Sequence, residues 1–260
     1  MGVEVGVDFG MDWRLIVAVL AMILGGVTKS LTGLGVPVIA IPILTALYGS
    51  LTDVIVVTIL STVLSDIYFI VRERQHWREA PYLIPLLVFG VLGIVLGAQI
   101  LVAINDVYLS GALGVVLTVF VITSWMGTLP TFSDKTTKRA SPVIGFLGGA
   151  LQGSTGASGP VVTMYLFNAP ISKGGFLFAV NFVFFVLDIT QFGALAQLGL
   201  YTTGRAQLAV LAVIPLAIGM IGGVWLSRRV DAAVFRKGVL VVLALTALTL
   251  FGRVLQVVLG

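Results

Sequence analysis

The chain has 260 residues, of which 58% are hydrophobic and only 10% charged. Its apolar runs are broken mainly by Gly, Pro, Ser and Thr, which argues against a soluble globular domain and predicts an all-α polytopic membrane protein embedded in a lipid bilayer. The pI near 9.6 is then a topology signal and not a sign of a nucleic-acid partner. The absence of cysteine removes disulfides, thiolate metal sites and cysteine nucleophiles.

The first fourteen residues carry Glu4, Asp8 and Asp12 against Arg14. They lack the basic start of a cleavable secretory signal, so the first hydrophobic segment is expected to stay. Apolar windows of roughly 18 to 24 residues are long enough to cross a bilayer. They fall near 15–48, 54–71, 82–104, 107–126, 142–168, 175–197, 207–226 and 238–259. The most polar interruption, GTLPTFSDKTTKRAS at 127–141, divides a first repeat, 1–126, from a second, 142–260.

Each half opens on the same motif. Residues 25–37 read GGVTKSLTGLGVP and residues 148–160 read GGALQGSTGASGP, 123 positions apart. The echo continues in Asp66 and Asp188, offset by 122, and in Ile84-Pro85-Leu86 and Ile214-Pro215-Leu216, offset by 130. The matched Gly25, Gly26, Pro37 and Gly148, Gly149, Pro160 are read as a helix break followed by a restart. Proline suits the first turn of a helix, where its missing N–H removes no bond. A duplicated helix break at membrane depth points to the binding site of a secondary transporter, because irregular backbone survives there only against protein or a polar cavity. Small residues also serve tight helix packing in membranes, which is the alternative for the glycines.

Basic residues cluster at Arg72, Arg74 and Arg78, at Lys135, Lys138 and Arg139, and at Arg228, Arg229, Arg236 and Lys237. The positive-inside rule wants all three clusters cytoplasmic. Eight plain crossings would strand the last cluster outside. Two re-entrant hairpins, at 15–48 and 142–168, each followed by three crossings, put all three inside with both termini out. Counting Lys173, eleven of the fifteen Lys and Arg residues are then cytoplasmic. An odd number of crossings per half makes the repeats inverted.

Two helix N-termini inside the membrane would favour an anion. Thr32, Ser154, Thr155 and Ser158 would add hydroxyl donors, and Gly33 and Gly156 would let a ligand approach the backbone. Lys29, within the first motif, supplies a cation at membrane depth, and Gln152 is its counterpart. Lys29 could instead neutralise a carboxylate or snorkel to an interface. Asp66 and Asp188, matched in the crossing after each motif, are candidates for proton coupling, with ion pairing or helix packing as the alternative. Trp13, Trp77, Trp125 and Trp225 fall near segment ends, as an interfacial belt requires. The phenylalanines at 176, 178, 182, 184 and 185 read as lipid-facing or packed, and Arg253 as snorkelling. A serine hydrolase at Ser154 is rejected, because the single histidine, His76, lies in a basic loop; no catalytic residue, metal or cofactor is expected.

With GG-x(5)-TG-x(3)-P opening both halves, the chain resembles the sulfite exporter TauE/SafE family, also called the 4-toluene sulfonate uptake permease family. The resemblance implies transport of sulfite, sulfoacetate or other organosulfonates across a bacterial inner membrane, usually as export. The reading reached is a secondary transporter of such small anions, linked to the proton-motive force by alternating access. An anion channel and a non-transporting membrane scaffold or assembly factor are the rivals. Substrate identity, direction, stoichiometry and oligomeric state are not legible in the sequence.

Overall fold

A computed structural model describes residues 13–33, 36–79, 83–126, 133–226 and 232–259. Among the described residues there are ten α-helices and no strand: α1 (Trp13–Thr32), α2 (Val36–Tyr48), α3 (Leu51–Arg72), α4 (Leu83–Ala103), α5 (Asp106–Met126), α6 (Asp134–Thr155), α7 (Gly159–Phe167), α8 (Lys173–Gln197), α9 (Thr203–Leu226) and α10 (Ala232–Leu259), with a 3-10 turn at Arg74–Glu79. Seven of the helices are long and apolar enough to cross a membrane. The sixth helix is not among them, because its first two turns are the polar DKTTKRAS.

Helix boundaries follow from local chemistry. Ser50, Ser133 and Ser172 cap α3, α6 and α8, accepting from the N–H groups of Asp53 (3.2 Å), Thr136 (3.2 Å) and Gly175 (3.1 Å). The Ser133 cap corrects the expected linker: 127–141 is not connection throughout, since its second half is already α6. Gly33 and Gly156, with φ of 74° and 70°, close α1 and α6 in the left-handed conformation that glycine adopts without strain. Their N–H groups return to the carbonyls of Lys29 (2.9 Å) and Gln152 (2.8 Å).

After these stops the chain doubles back. A Cβ on Gly25 of α1 would touch Val36 and Ala40 of α2, and further out Leu15, Ala18 and Met22 share a cavity wall with Leu44 and Tyr48. A Cβ on Gly148 of α6 would meet Val162 of α7, and the Tyr165 hydroxyl donates to the Thr137 carbonyl (2.8 Å). Each motif thus forms an antiparallel helical hairpin whose second arm is the shorter, 13 residues in α2 and 9 in α7.

The principal helix pairings map onto themselves when the first five helices are exchanged with the last five. Helix α1 packs on α9 and α6 on α4; α3 packs on α8 and α5 on α10; α3 also meets α9, and α8 meets α4. Glycine makes the two closest pairings. A Cβ on Gly149 would overlap the Gly90 carbonyl, and one on Gly153 would reach the Ile94 carbonyl at 2.6 Å. Similarly, a Cβ on Gly26 would overlap the Leu216 carbonyl and one on Gly219 the Ile23 carbonyl. The glycines expected to break a helix therefore lie inside one. Gly25, Gly26, Gly148 and Gly149 are uninterrupted helix whose missing side chains let backbones touch; the helices stop only after Thr32 and Thr155.

Helix ends fall into two groups tied by polar contacts. In the first group, Asp106 at the start of α5 accepts from Ser50 Oγ (3.0 Å) and Thr52 Oγ1 (2.8 Å) beside the start of α3. Arg205 of α9 pairs there with Asp53. Arg253 of α10 does not snorkel. It donates to the carbonyls of Thr45 (2.7 Å) and Gly49 (3.3 Å), closing the end of α2. In the second group, Glu79 accepts from the backbone N–H of Ser172 (3.0 Å) at the start of α8 and from His76 Nδ1 (2.5 Å). These hydrogen bonds hold the Glu79 carboxyl down at about 2, the Ser172 contact contributing most.

Candidate functional site

Asp66 and Asp188 each lie about four helical turns, ~22 Å, from the start of their helices. That depth brings them level with the hairpin tips. Lys29, one turn before the end of α1, forms an ion pair with Asp66, and both side chains are buried, at 1% and 0% exposure. Gln152, one turn before the end of α6, donates to Asp188 Oδ1 (2.6 Å). The groups expected to bind substrate and those expected to couple protons thus meet pairwise. The Asp188 carboxyl also stands close to Asp66, and Thr62 reaches it from one turn earlier in α3. The second oxygen of Asp66, Oδ2, has no donor among the described residues.

Three contributors were not singled out by sequence reasoning as site residues. Gln191, three residues beyond Asp188, accepts from Gln152 Nε2 (3.2 Å) and donates to the Gln152 carbonyl (2.8 Å), tying the end of α6 to α8. The Phe184 ring, four residues before Asp188, lies 5.8 Å from the Lys29 ammonium. Both share a helix face with Asp188 by i, i+3 and i, i+4 spacing, which was the signal available. Tyr201, between α8 and α9, is the third. Burial and then the Asp188 charge push its phenol up, and its hydroxyl has no hydrogen-bond partner among the described residues.

The hydroxyls of the second motif are spent locally. Ser154 Oγ donates to the Ala150 carbonyl (2.7 Å) and Thr155 Oγ1 to that of Leu151 (2.8 Å). Ser158 occupies the cap position of α7, with Pro160 in the first turn, yet its hydroxyl makes no cap. Instead, its Oγ (2.7 Å) and backbone N–H (3.1 Å) both donate to Gln152 Oε1. Thr32 ends α1 and Pro37 is the second residue of α2; the side chains of both lie outside the described residues.

Each tip is plugged by the opposite half. A Cβ on Gly33 would meet Leu177 and Val180 of α8, and one on Gly156 would meet Ile41 of α2 and Ile55 of α3. A cavity of about 260 Å³ between α3 and α9 runs past Ser61, Ser65, Tyr68 and Met220, but its wall is almost wholly apolar and does not include the ion pair.

No curated protein and no solved structure matches the chain. The model of one family, described as Sulfite exporter TauE/SafE, matches residues 18–250. Seven helices suited to crossing a bilayer agree with a multi-pass transporter. Nearly its whole length is covered by that match, and the chain belongs to the sulfite exporter TauE/SafE family.

Proposed function

We propose that this chain is a secondary transporter of small sulfur-containing anions, such as sulfite, sulfoacetate or another organosulfonate, working in a bacterial inner membrane by alternating access. The carrying observation is the buried cluster of Lys29, Asp66, Gln152 and Asp188, which links both hairpins to the two central helices. A cation, two carboxylates and an amide at membrane depth are costly and mark a transport pathway. Burial opposes the further negative charge that an anion brings, so an exchangeable proton on one of the two carboxylates, Asp66 or Asp188, is the coupling element.

The inverted-repeat reading draws support from the two groups of helix ends. The α1–α2 hairpin starts and finishes with the group containing Ser50, Asp106 and Arg253, and the α6–α7 hairpin with the group containing Glu79 and Ser172. On that reading 1–126 and 142–260 are the repeats. The basic stretches 72–79, 127–141 and 227–237 then share the cytoplasmic side. Export suits an anion, because an inside-negative potential expels it with about 2.3 kcal/mol per charge per 100 mV.

Tips packed against Leu177, Val180, Ile41 and Ile55 favour a carrier over a channel. A scaffold has no need of a buried ion pair. The test is flux from proteoliposomes loaded with sulfite or sulfoacetate. Saturable efflux that responds to a pH gradient, and that Lys29→Met suppresses more than Gln152→Leu, is expected. Flux that stays linear in concentration and ignores the gradient would point to a channel, and no flux with any of these anions would remove transport as the function.

A further inference from the structure

Both halves of the proposed anion site are already satisfied by the protein's own oxygens. The Lys29 ammonium is taken by the Asp66 carboxylate. The first donors before α7, the Ser158 N–H and hydroxyl, are taken by Gln152 Oε1. Other described cations offer no substitute at this depth: Arg205 is bound to Asp53 and the Leu200 carbonyl, Arg253 holds the end of α2, and Lys173 begins its helix. An arriving anion therefore gains a charged partner only by displacing Asp66.

We infer that the Asp66 carboxylate and the Gln152 amide oxygen stand where oxygens of the transported anion bind, so that the anion loads by exchanging with Asp66 for Lys29 as Asp66 takes up a proton. This rests on the proposed function and specifies its coupling. Displaced Gln152 leaves nothing charged behind. Displaced Asp66 leaves a carboxylate beside the incoming anion and beside Asp188, in a site whose tips are closed by Leu177, Val180, Ile41 and Ile55. A proton from water on Asp66 removes that repulsion, and the orphaned Oδ2 is an acceptor with no competing donor among the described residues.

Asp188 from α8 is the titratable group beside the Lys29–Asp66 pair, and Tyr201 from the α8–α9 connection faces Asp188 and not the pair. Among the described residues α2 and α9 bring only Tyr48 and Arg205, which sit at helix ends. Asp188, held by the neutral Gln152, loses no ionic partner on loading. Proton and anion consequently enter together and travel in the same direction.

Calorimetric titration of the purified full-length protein with sulfoacetate and with sulfate decides the matter, because neither probe titrates between about pH 6 and 8. Repeating it in buffers of different ionisation enthalpy counts the protons. The parent should take up about one proton per anion, its affinity falling by up to about tenfold per pH unit as pH rises. Asp66→Asn should bind with no uptake and no pH dependence, whereas Asp188→Asn should retain both. Lys29→Met, or Lys29→Met/Asp66→Asn should the single variant not fold, should bind neither anion tightly. Binding by the parent with no proton uptake and a flat pH profile, or uptake that persists in Asp66→Asn, overturns the exchange but leaves the anion site standing. No binding by the parent at any pH, or full affinity without Lys29, overturns the site and the exchange with it.

Discussion

Gly149→Ala separates a packing role for the motif glycines from a ligand-binding one. The new Cβ would overlap the carbonyl oxygen of Gly90 and lie 2.7 Å from its carbon and 2.9 Å from its Cα. All three atoms are backbone of α4, so no rotamer change relieves the clash and α4 and α6 must move apart. Overpacking of this kind costs about 1 to 3 kcal/mol. The same substitution at Gly222 of α9 meets nothing within 4 Å and should gain up to about 1 kcal/mol of helix propensity. Both glycines lie inside helices and gain this propensity alike, so the two variants should differ by the overpacking alone, roughly 1 to 3 kcal/mol, or about a factor of five to a hundred in the folded-to-unfolded ratio. Reversible unfolding in mixed micelles, followed by circular dichroism, measures the difference, and sulfoacetate titration of the folded fraction measures affinity. If Gly149→Ala proves as stable as Gly222→Ala yet no longer binds the anion, the packing account is wrong and the glycine faces the ligand.

Lys29→Met strands a buried carboxylate and should cost about 3 to 5 kcal/mol, most of it recovered in Lys29→Met/Asp66→Asn; additive losses in unfolding experiments would mean the pair does not interact. A cysteine at Lys135, near the start of α6, should resist an impermeant thiol reagent applied to intact cells, while one at Thr203, near the start of α9, should react; the reverse pattern inverts the topology. The depressed Glu79 carboxyl contributes stability that is complete above about 4.5 and lost as pH falls toward about 2. Glu79→Gln should thus lower the melting temperature at neutral pH, with the difference from the parent shrinking below 4.5. A dianion leaving with one proton exports a single negative charge, so an inside-negative potential of 100 mV, worth about 2.3 kcal/mol, should outweigh an opposing gradient of one pH unit, worth about 1.4; electroneutral efflux in voltage-clamped proteoliposomes would contradict that stoichiometry.

Composition alone specified an all-helical membrane chain, because apolar runs of spanning length have no other stable form in a bilayer. The repeated motif placed one helix break in each half, but the stops fall at Gly33 and Gly156, read in the sequence as room for a ligand, because a left-handed glycine ends α1 and α6 without strain. The four charged or amide residues of the cluster were also visible one by one, as polar groups too costly at that depth to be incidental. Their partners were not. Lys29 with Asp66 and Gln152 with Asp188 meet across 37 and 36 residues of sequence, and which polar groups satisfy one another depends on how the hairpins lie on α3 and α8. Gly26 and Gly149 look the same in sequence whether they break a helix or let two backbones touch; the carbonyls of Leu216 and Gly90 against them decided it. Arg253 could snorkel or cap by its position alone, and the open carbonyls at the end of α2 settled that too. Local sequence determines where a helix can stop and what its burial costs, whereas pairing between distant segments belongs to the tertiary structure that brings them into contact.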